Sequence, residues 1–397
     1  MNLEFPALGY IVYKDGKEIF SKFVGSRRLD KKNLPVTRDT KFRVASLSKQ
    51  FTIFTVMQLV EQGKLNLDED VSNYLGFELR NPKFSEIPIT CRMLASHTSS
   101  LRDGKVYSIP PNCSVEEFFK RDGKFFEDGG YFGNEPPIKF FTYCNLNYGI
   151  LGTVIECVTG KRFDIYQREN ILAQLDTRAD YVVGNLSRKD FNLLGTTYQK
   201  SDGIWQAEID DYHGIQPARE TISLQNPYAE NVCQTYNLRD YKIGTNATIF
   251  SPQGGLRISL DELSHAMEMI FNGGTYRGRK ILSEKSLSEM FKPQWIYNGN
   301  NGDTCGGVML SYGLGEYQID GKTSARLSQN RVINFVGHTG IAFGLLAGFF
   351  MTNNRDGFIY IANGHTFDLE DPRSFGKFSG NYIYEEKIVE EILTPNS

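Results

Sequence analysis

Ser46-Leu-Ser-Lys-Gln-Phe-Thr-Ile-Phe-Thr-Val-Met-Gln-Leu-Val-Glu-Gln-Gly63 reads as one long helix closed by a glycine. Phe51, Ile53, Phe54, Val56, Met57, Leu59 and Val60 leave it almost no polar side, and a helix that is apolar all round is usually buried. The 397-residue chain is long enough to surround it, as one large fold or two closely packed domains. Toward the N-terminus, residues 9–13 and 17–24 flank Asp15-Gly16, a hairpin signal of the type I′ kind. Alternation sends Tyr10 and Val12 to one face of that hairpin, and Ile11 and Tyr13 to the other.

The far end of the chain mirrors this start. Residues 331–336, 341–351 and 357–363 read as strands, with Asn353-Asn-Arg-Asp-Gly357 as the turn between the last two. A closing helix follows, striped by Ile383, Tyr384, Ile388, Ile392 and Leu393. These patterns predict one antiparallel sheet built from both chain ends. Between them, residues 145–158, 260–272 and 283–291 read as helices, while 121–137 and 197–250 read as long surface loops. The expected division puts 1–62 and 250–397 in an α/β domain, and 63–249 in a mostly helical domain with cleft-lining loops.

With 40% hydrophobic and 23% charged residues, the composition is that of a soluble globular protein. A net charge of −3, from 44 Lys+Arg against 47 Asp+Glu, argues against a nucleic-acid surface. The longest apolar runs, 51–60 and 342–351, are about half of the ~20 residues a membrane span needs. The N-terminus shows no basic start, apolar core or small-residue cleavage site. Taken as written, the chain reads as cytoplasmic; a trimmed export signal would make it periplasmic or secreted. Its six cysteines, at 91, 113, 144, 157, 233 and 305, form no close pairs, and no metal-ligand spacing is present. No cofactor is expected, and the sequence does not fix an oligomeric state.

Three short motifs could meet at one site: Ser46-Leu-Ser-Lys49, Tyr143-Cys-Asn145 and His338-Thr339-Gly340. The spacing of Ser46 and Lys49 puts both on one helical face, and an ammonium eases deprotonation of a hydroxyl. A partly desolvated Lys49 could itself accept that proton. Ser-x-x-Lys also occurs at Ser374-Phe-Gly-Lys377, but in a polar loop rather than a buried helix, and Ser48 lacks the spacing to Lys49. Tyr143 is a candidate proton carrier, its phenol open to a lowered pKa near cations, and Asn145 offers an amide donor and acceptor. The plain alternatives are a packed aromatic and a helix cap. His338-Thr339-Gly340 reads as a turn leading into the 341–351 strand. There Thr339 could meet a polar group, Gly340 could admit substrate close to the backbone, and the Ile341 N–H could join that of Ser46 as an oxyanion donor.

Together these motifs resemble the penicillin-recognising serine hydrolases: class C β-lactamases, D-alanyl-D-alanine carboxypeptidases, D-aminopeptidases and related esterases. The segments Phe42-Arg-Val-Ala-Ser-Leu-Ser-Lys-Gln-Phe-Thr52, Leu59-Val-Glu-Gln-Gly-Lys-Leu-Asn-Leu-Asp68, Leu94-Ala-Ser-His-Thr-Ser-Ser-Leu101 and Ser251-Pro-Gln-Gly-Gly-Leu-Arg257 carry the likeness further. The resemblance implies an α+β, β-lactamase/transpeptidase-like fold, an antiparallel sheet flanked by helices plus a helical domain, with the site in the cleft between them. It implies Ser46 as nucleophile, Lys49 as its proton partner, Tyr143 as general base and acid, and the N–H groups of Ser46 and Ile341 as oxyanion hole. Asn145, His338, Thr339 and Gly340 would bind substrate.

The implied reaction is hydrolysis of a peptide-like amide, such as a D-amino-acid peptide, or of a small ester. A class C-like β-lactamase, or a penicillin-binding or scaffold protein with little turnover, are the alternatives. His338 stands where class C β-lactamases usually have the lysine that helps hold the drug carboxylate, a pattern closer to the carboxypeptidases and D-aminopeptidases. Ala95 and Ser100 depart from the common landmark, and 173–250 lacks the usual Pro-Leu-Gly-Met segment. Trp205, Tyr212, Tyr228 and Tyr236 there are expected to shape specificity.

Overall fold

The N-terminal hairpin forms where its turn chemistry puts it. Strand β1 (Ala7–Lys14) pairs antiparallel with β2 (Lys17–Gly25) around Asp15 and Gly16, at φ +52° and +77°. The structure, a computed structural model, describes residues 5–30, 34–127, 129–225, 233–365 and 374–394. Within these, β3 (Trp295–Ile296), β4 (Ser311–Tyr312), β5 (Tyr317–Ile319), β6 (Phe335–Ala342), β7 (Leu345–Met351) and β8 (Gly357–Asn363) complete the sheet. Its order is β3-β4-β5-β6-β7-β8-β1-β2. The two chain ends meet along β1 and β8, where Ala7 faces Asn363 and Tyr13 faces Gly357. The architecture is α+β, with helices on both faces of this antiparallel sheet.

The expected alternation holds. Ile11 and Tyr13 enter the core on one face with Phe349, Ile359 and Ile361. Tyr10 and Val12 enter the other with Phe350, Phe358 and Tyr360. The first face shares one core cluster with helix α1 (Ser48–Glu61), α2 (Leu146–Thr159), α3 (Leu260–Phe271) and α4 (Glu284–Phe291), and it packs on α3. The second is covered by α5 (Ile383–Leu393), through Ile388, Val389 and Ile392.

Helix α1 is buried along nearly its whole length, as its sequence dictates. It begins two residues later than expected, because Ala45–Leu47 wind as a separate 3₁₀ turn. Its end is a Schellman motif: Gly63, at φ +66°, donates to the Val60 carbonyl at 3.0 Å, and Lys64 donates to Leu59 at 2.9 Å.

Three expectations are corrected. His338-Thr339-Gly340 lies inside strand β6, and the turn falls at Phe343-Gly344, at φ +54° and +78°. The described residues of 121–137 carry no helix or strand, as expected, but they are not wholly at the surface. Phe125, Tyr131 and Phe132 are buried, and Tyr131 packs edge-on to Phe118. The 197–250 segment holds two hairpins, Tyr198–Ser201 with Ile204–Ala207 and Thr221–Gln225 with Cys233–Asn237. Trp205, Tyr212 and Tyr236 lie on or between them, whereas Tyr228 is outside the described residues. Among the described residues no helix is long and apolar enough to cross a membrane.

Candidate active site

Ala45 has φ +47°, a left-handed conformation that costs a non-glycine residue roughly 1–2 kcal/mol. It turns the chain out of the Lys41–Arg43 strand and into the 3₁₀ turn on which Ser46 stands. Ser46 is partly exposed, while Ser48 is fully buried and its Oγ accepts the Leu256 N–H at 3.1 Å. Ser374 is buried.

Lys49 and Tyr143 both reach Ser46. Lys49 Nζ donates to Ser46 Oγ at 2.9 Å, to Asn145 Oδ1 at 3.0 Å and to the Gln253 carbonyl at 3.3 Å. Tyr143 OH donates to Ser46 Oγ at 2.9 Å, and Lys49 Nζ lies 4.7 Å from the Tyr143 ring centroid. The first two motifs therefore share one hydrogen-bonded cluster. Of the three acceptors around the amine, an amide oxygen and a carbonyl can only accept, and the Ser46 hydroxyl alone can also donate.

Burial sets the protonation states. It pulls Lys49 from its ordinary 10.5 down to about 7, against the upward pull of the Asp103 carboxylate and the Cys144 thiol. It pushes the Tyr143 phenol well above its ordinary 10, against the Ser46 hydrogen bond, which corrects the expectation of a lowered pKa. Tyr143 is thus a neutral proton donor at pH 7.

The third motif approaches from the sheet. A two-residue turn joins β6 to β7, so the flanking Ala342 and Leu345 form a hydrogen-bonded pair. Peptide groups alternate sides along a strand, so those of Ile341 and Thr339 face the opposite edge, where β5 reaches only as far as Gly337. Among the described residues no strand pairs with Ile341 on that edge. A Cβ on Gly340 would come within 2.3 Å of the Val44 carbonyl. The glycine therefore admits the neighbouring Val44 backbone. Tyr317 OH donates to Thr339 Oγ1 at 3.4 Å.

His338 is only 2% exposed. Its Nδ1 donates to the Thr339 carbonyl, which fixes Nε2 as the acceptor of the Tyr312 hydroxyl at 3.1 Å. Burial, then the Lys49 charge, pull its pKa down to about 3, so the ring is neutral.

Two residues that the sequence reading missed hold the Tyr143–Asn145 turn. Asp103 Oδ2 accepts from the Asn145 N–H at 3.0 Å and from Asn145 Nδ2 at 2.9 Å, and Oδ1 accepts from the Leu146 N–H at 2.9 Å. Holding the Nδ2 end leaves Asn145 Oδ1 turned to Lys49. The second is His97, which accepts the Cys144 N–H at Nδ1, 3.1 Å away, and packs at a tilt against Tyr143 with ring centroids 4.4 Å apart. Asp103 lies two residues beyond the 94–101 landmark and His97 within it, and neither had a local pattern to mark its role.

All six cysteines are unpaired. Among the described residues no group of three His, Cys, Asp or Glu side chains could hold a metal ion. A surface cavity of about 640 Å³, lined by Gly184–Arg188 and Gln216–Arg219, shares no residue with this cluster.

The family model described as Beta-lactamase matches residues 2–374. Protein flp of Staphylococcus aureus (strain MRSA252) is 27% identical over 204 residues, 50% of this chain and 39% of the relative. An N-acetylmuramyl-L-alanine amidase of Bacillus subtilis (strain 168) is 25% identical over 305 residues, 73% of this chain and 64% of the relative. The chain thus spans less than two thirds of either protein. Of the solved structures, the octameric penicillin-binding protein homologue from Pyrococcus abyssi superposes with a TM-score of 0.65 at 21% identity, covering 92% of this chain and 71% of its own. A beta-lactamase/D-alanine carboxypeptidase from Yersinia pestis gives 0.65 at 16% identity, covering 98% and 94%. D-amino acid amidase from Ochrobactrum anthropi SV3 gives 0.63 at 20% identity, covering 98% and 92%. At these identities the likeness establishes the shared fold.

Proposed function

The chain belongs to the beta-lactamase family, whose general chemistry is serine hydrolysis, and from that premise we propose that Ser46 is its nucleophile and forms an acyl-enzyme with a peptide-like amide or small ester. The observation that carries the reading is the surroundings of Lys49. An amine with a pKa of about 7 is half deprotonated at neutral pH, and of its three hydrogen-bond partners only Ser46 has a proton to give.

In this reading neutral Lys49 takes the Ser46 proton as Oγ attacks the carbonyl carbon. The tetrahedral oxyanion receives the N–H groups of Ser46 and Ile341, donors that are typically worth roughly 3 kcal/mol each to the transition state. Tyr143 gives its proton to the departing nitrogen or oxygen, and the Lys49 ammonium then returns a proton to the phenolate directly, leaving Lys49 neutral again. Water then repeats the attack on the ester, and Ser46 leaves with its proton. Asn145 would meet a substrate amide, and Thr339 and Gly340 would line the acyl-binding strand. His338 would brace β6 through Tyr312. Residues 1–62 and 250–397 would form one domain and 63–249 the other, with substrate entering between them.

An amide substrate, a D-amino-acid peptide among the candidates, is supported by the relative named an N-acetylmuramyl-L-alanine amidase. It is also supported by a neutral His338, which gives no cation at that position for a drug carboxylate. The test is parallel turnover of a D-Ala-D-Ala peptide, p-nitrophenyl acetate and nitrocefin. Peptide or ester hydrolysis outpacing nitrocefin by at least tenfold is expected. Nitrocefin as the best substrate would assign a class C-like β-lactamase, and labelling by a fluorescent β-lactam without turnover of any of them would assign a penicillin-binding protein.

A further inference from the structure

Arg43 stands three residues ahead of Ser46 and makes no ion pair among the described residues. Its Nε donates to the Gly254 carbonyl at 2.9 Å and one Nη to Ser251 Oγ at 3.1 Å. The Phe343 ring lies 5.0 Å from its guanidinium. These contacts locate it at the site. The same 251–254 segment gives Lys49 its Gln253 carbonyl, and Phe343 is the turn residue two positions beyond Ile341.

Nearby, Arg257 and Asp210 are joined by hydrogen bonds of 3.0 and 3.1 Å and neutralise each other. Arg43 is left without an ion pair of its own among the described residues, with its Nη1 lacking a protein partner among the bonds described. Burial, then repulsion from Arg257, pull its pKa down to about 10, so it remains charged at neutral pH. Tyr107, 38% exposed, lies within the electrostatic reach of both Arg43 and Asp103, which sets the cation at the rim of the cluster. A half-buried guanidinium without a counter-ion is costly, and its planar fork matches a carboxylate.

The strand gives the direction. β6 runs from His338, whose ring is 6.0 Å from that of Tyr143, to Phe343's turn beside Arg43. A leaving group must lie beside the Tyr143 that protonates it, so the acyl part extends the other way. We propose that Arg43 binds a carboxylate borne by the acyl part of the substrate, at the opposite end of the strand from the leaving group. This rests on the acyl-enzyme reading above.

The test compares the glutaric acid mono-p-nitroanilide, whose acyl part ends in a carboxylate, with its methyl ester. Binding of each to Ser46→Ala protein is measured by calorimetry, alone and combined with Arg43→Gln or Arg43→Lys, with melting curves to check folding. The acid is expected to bind at least tenfold more tightly than the ester, the Gln variant to bring the ratio near one, and the Lys variant to keep part of it. Equal binding of the two ligands, no binding of either, or a preference that survives Arg43→Gln overturns the proposal. Absence of a fluorophosphonate adduct on Ser46 in the unsubstituted protein, with this discrimination intact, would sink the acyl-enzyme reading alone.

Discussion

In the proposed mechanism Lys49 acts only when deprotonated, and a pKa of about 7 would make acylation a sensitive function of pH. The rate constant kcat/KM should rise with pH through a limb near 7 and flatten above it, since the protonated amine cannot take the Ser46 proton. Asp103 holds that pKa up, so Asp103→Asn should move the limb to lower pH. The same change sets an amide N–H against groups that already donate to the carboxylate, and a drop in kcat of at least tenfold is expected. A kcat loss with an unmoved limb would reduce Asp103 to a purely structural residue. The sequence made Ser46 and Lys49 legible because three-residue spacing along a helical turn is a local property. Asp103 was illegible because its bonds reach 42 and 43 residues along the chain, and no local pattern encodes them. The direction of the Tyr143 shift was misread for a related reason. A neighbouring cation can be guessed from motifs, but the desolvation of the phenol follows from its packing against His97 and His338.

Strand β6 carries the third motif and presses against the turn that carries Ser46. Its Gly340 accommodates the Val44 carbonyl, so Gly340→Ala should force the two elements apart. A destabilisation of about 1–3 kcal/mol is expected from denaturant unfolding, together with slower acylation of Ser46. An unchanged midpoint and rate would show that the contact between β6 and the Val44 backbone is unimportant. The motif read as a turn because glycine is ordinarily punctuation; here the glycine sits mid-strand and the true turn uses Phe343 at positive φ. The buried α1 and its Gly63 terminus were readable, since an uninterrupted apolar run and a C-terminal glycine are both local signals.

The whole molecule is closed by pairing its first strand with its last. The hairpin signal at Asp15-Gly16 and the apolar alternation at both ends were enough to predict that sheet. The aromatic residues of 121–137 carried no period, and their burial comes from packing on Phe118 and Phe119. Ile11, buried at the join, ties both ends to the core around α1. Ile11→Ala should cost about 2–5 kcal/mol, seen as a lower denaturation midpoint. If the midpoint stays put, the N-terminal strand contributes little to the fold.

The proposed chemistry depends on one hydroxyl becoming an ester. Its most direct measurement is intact-protein and peptide mass spectrometry after reaction with a fluorophosphonate or a fluorescent β-lactam. One adduct on Ser46 is predicted, lost in Ser46→Ala and retained in Ser374→Ala. An adduct that survives Ser46→Ala and vanishes in Ser374→Ala, or no adduct in the unsubstituted protein, would contradict it.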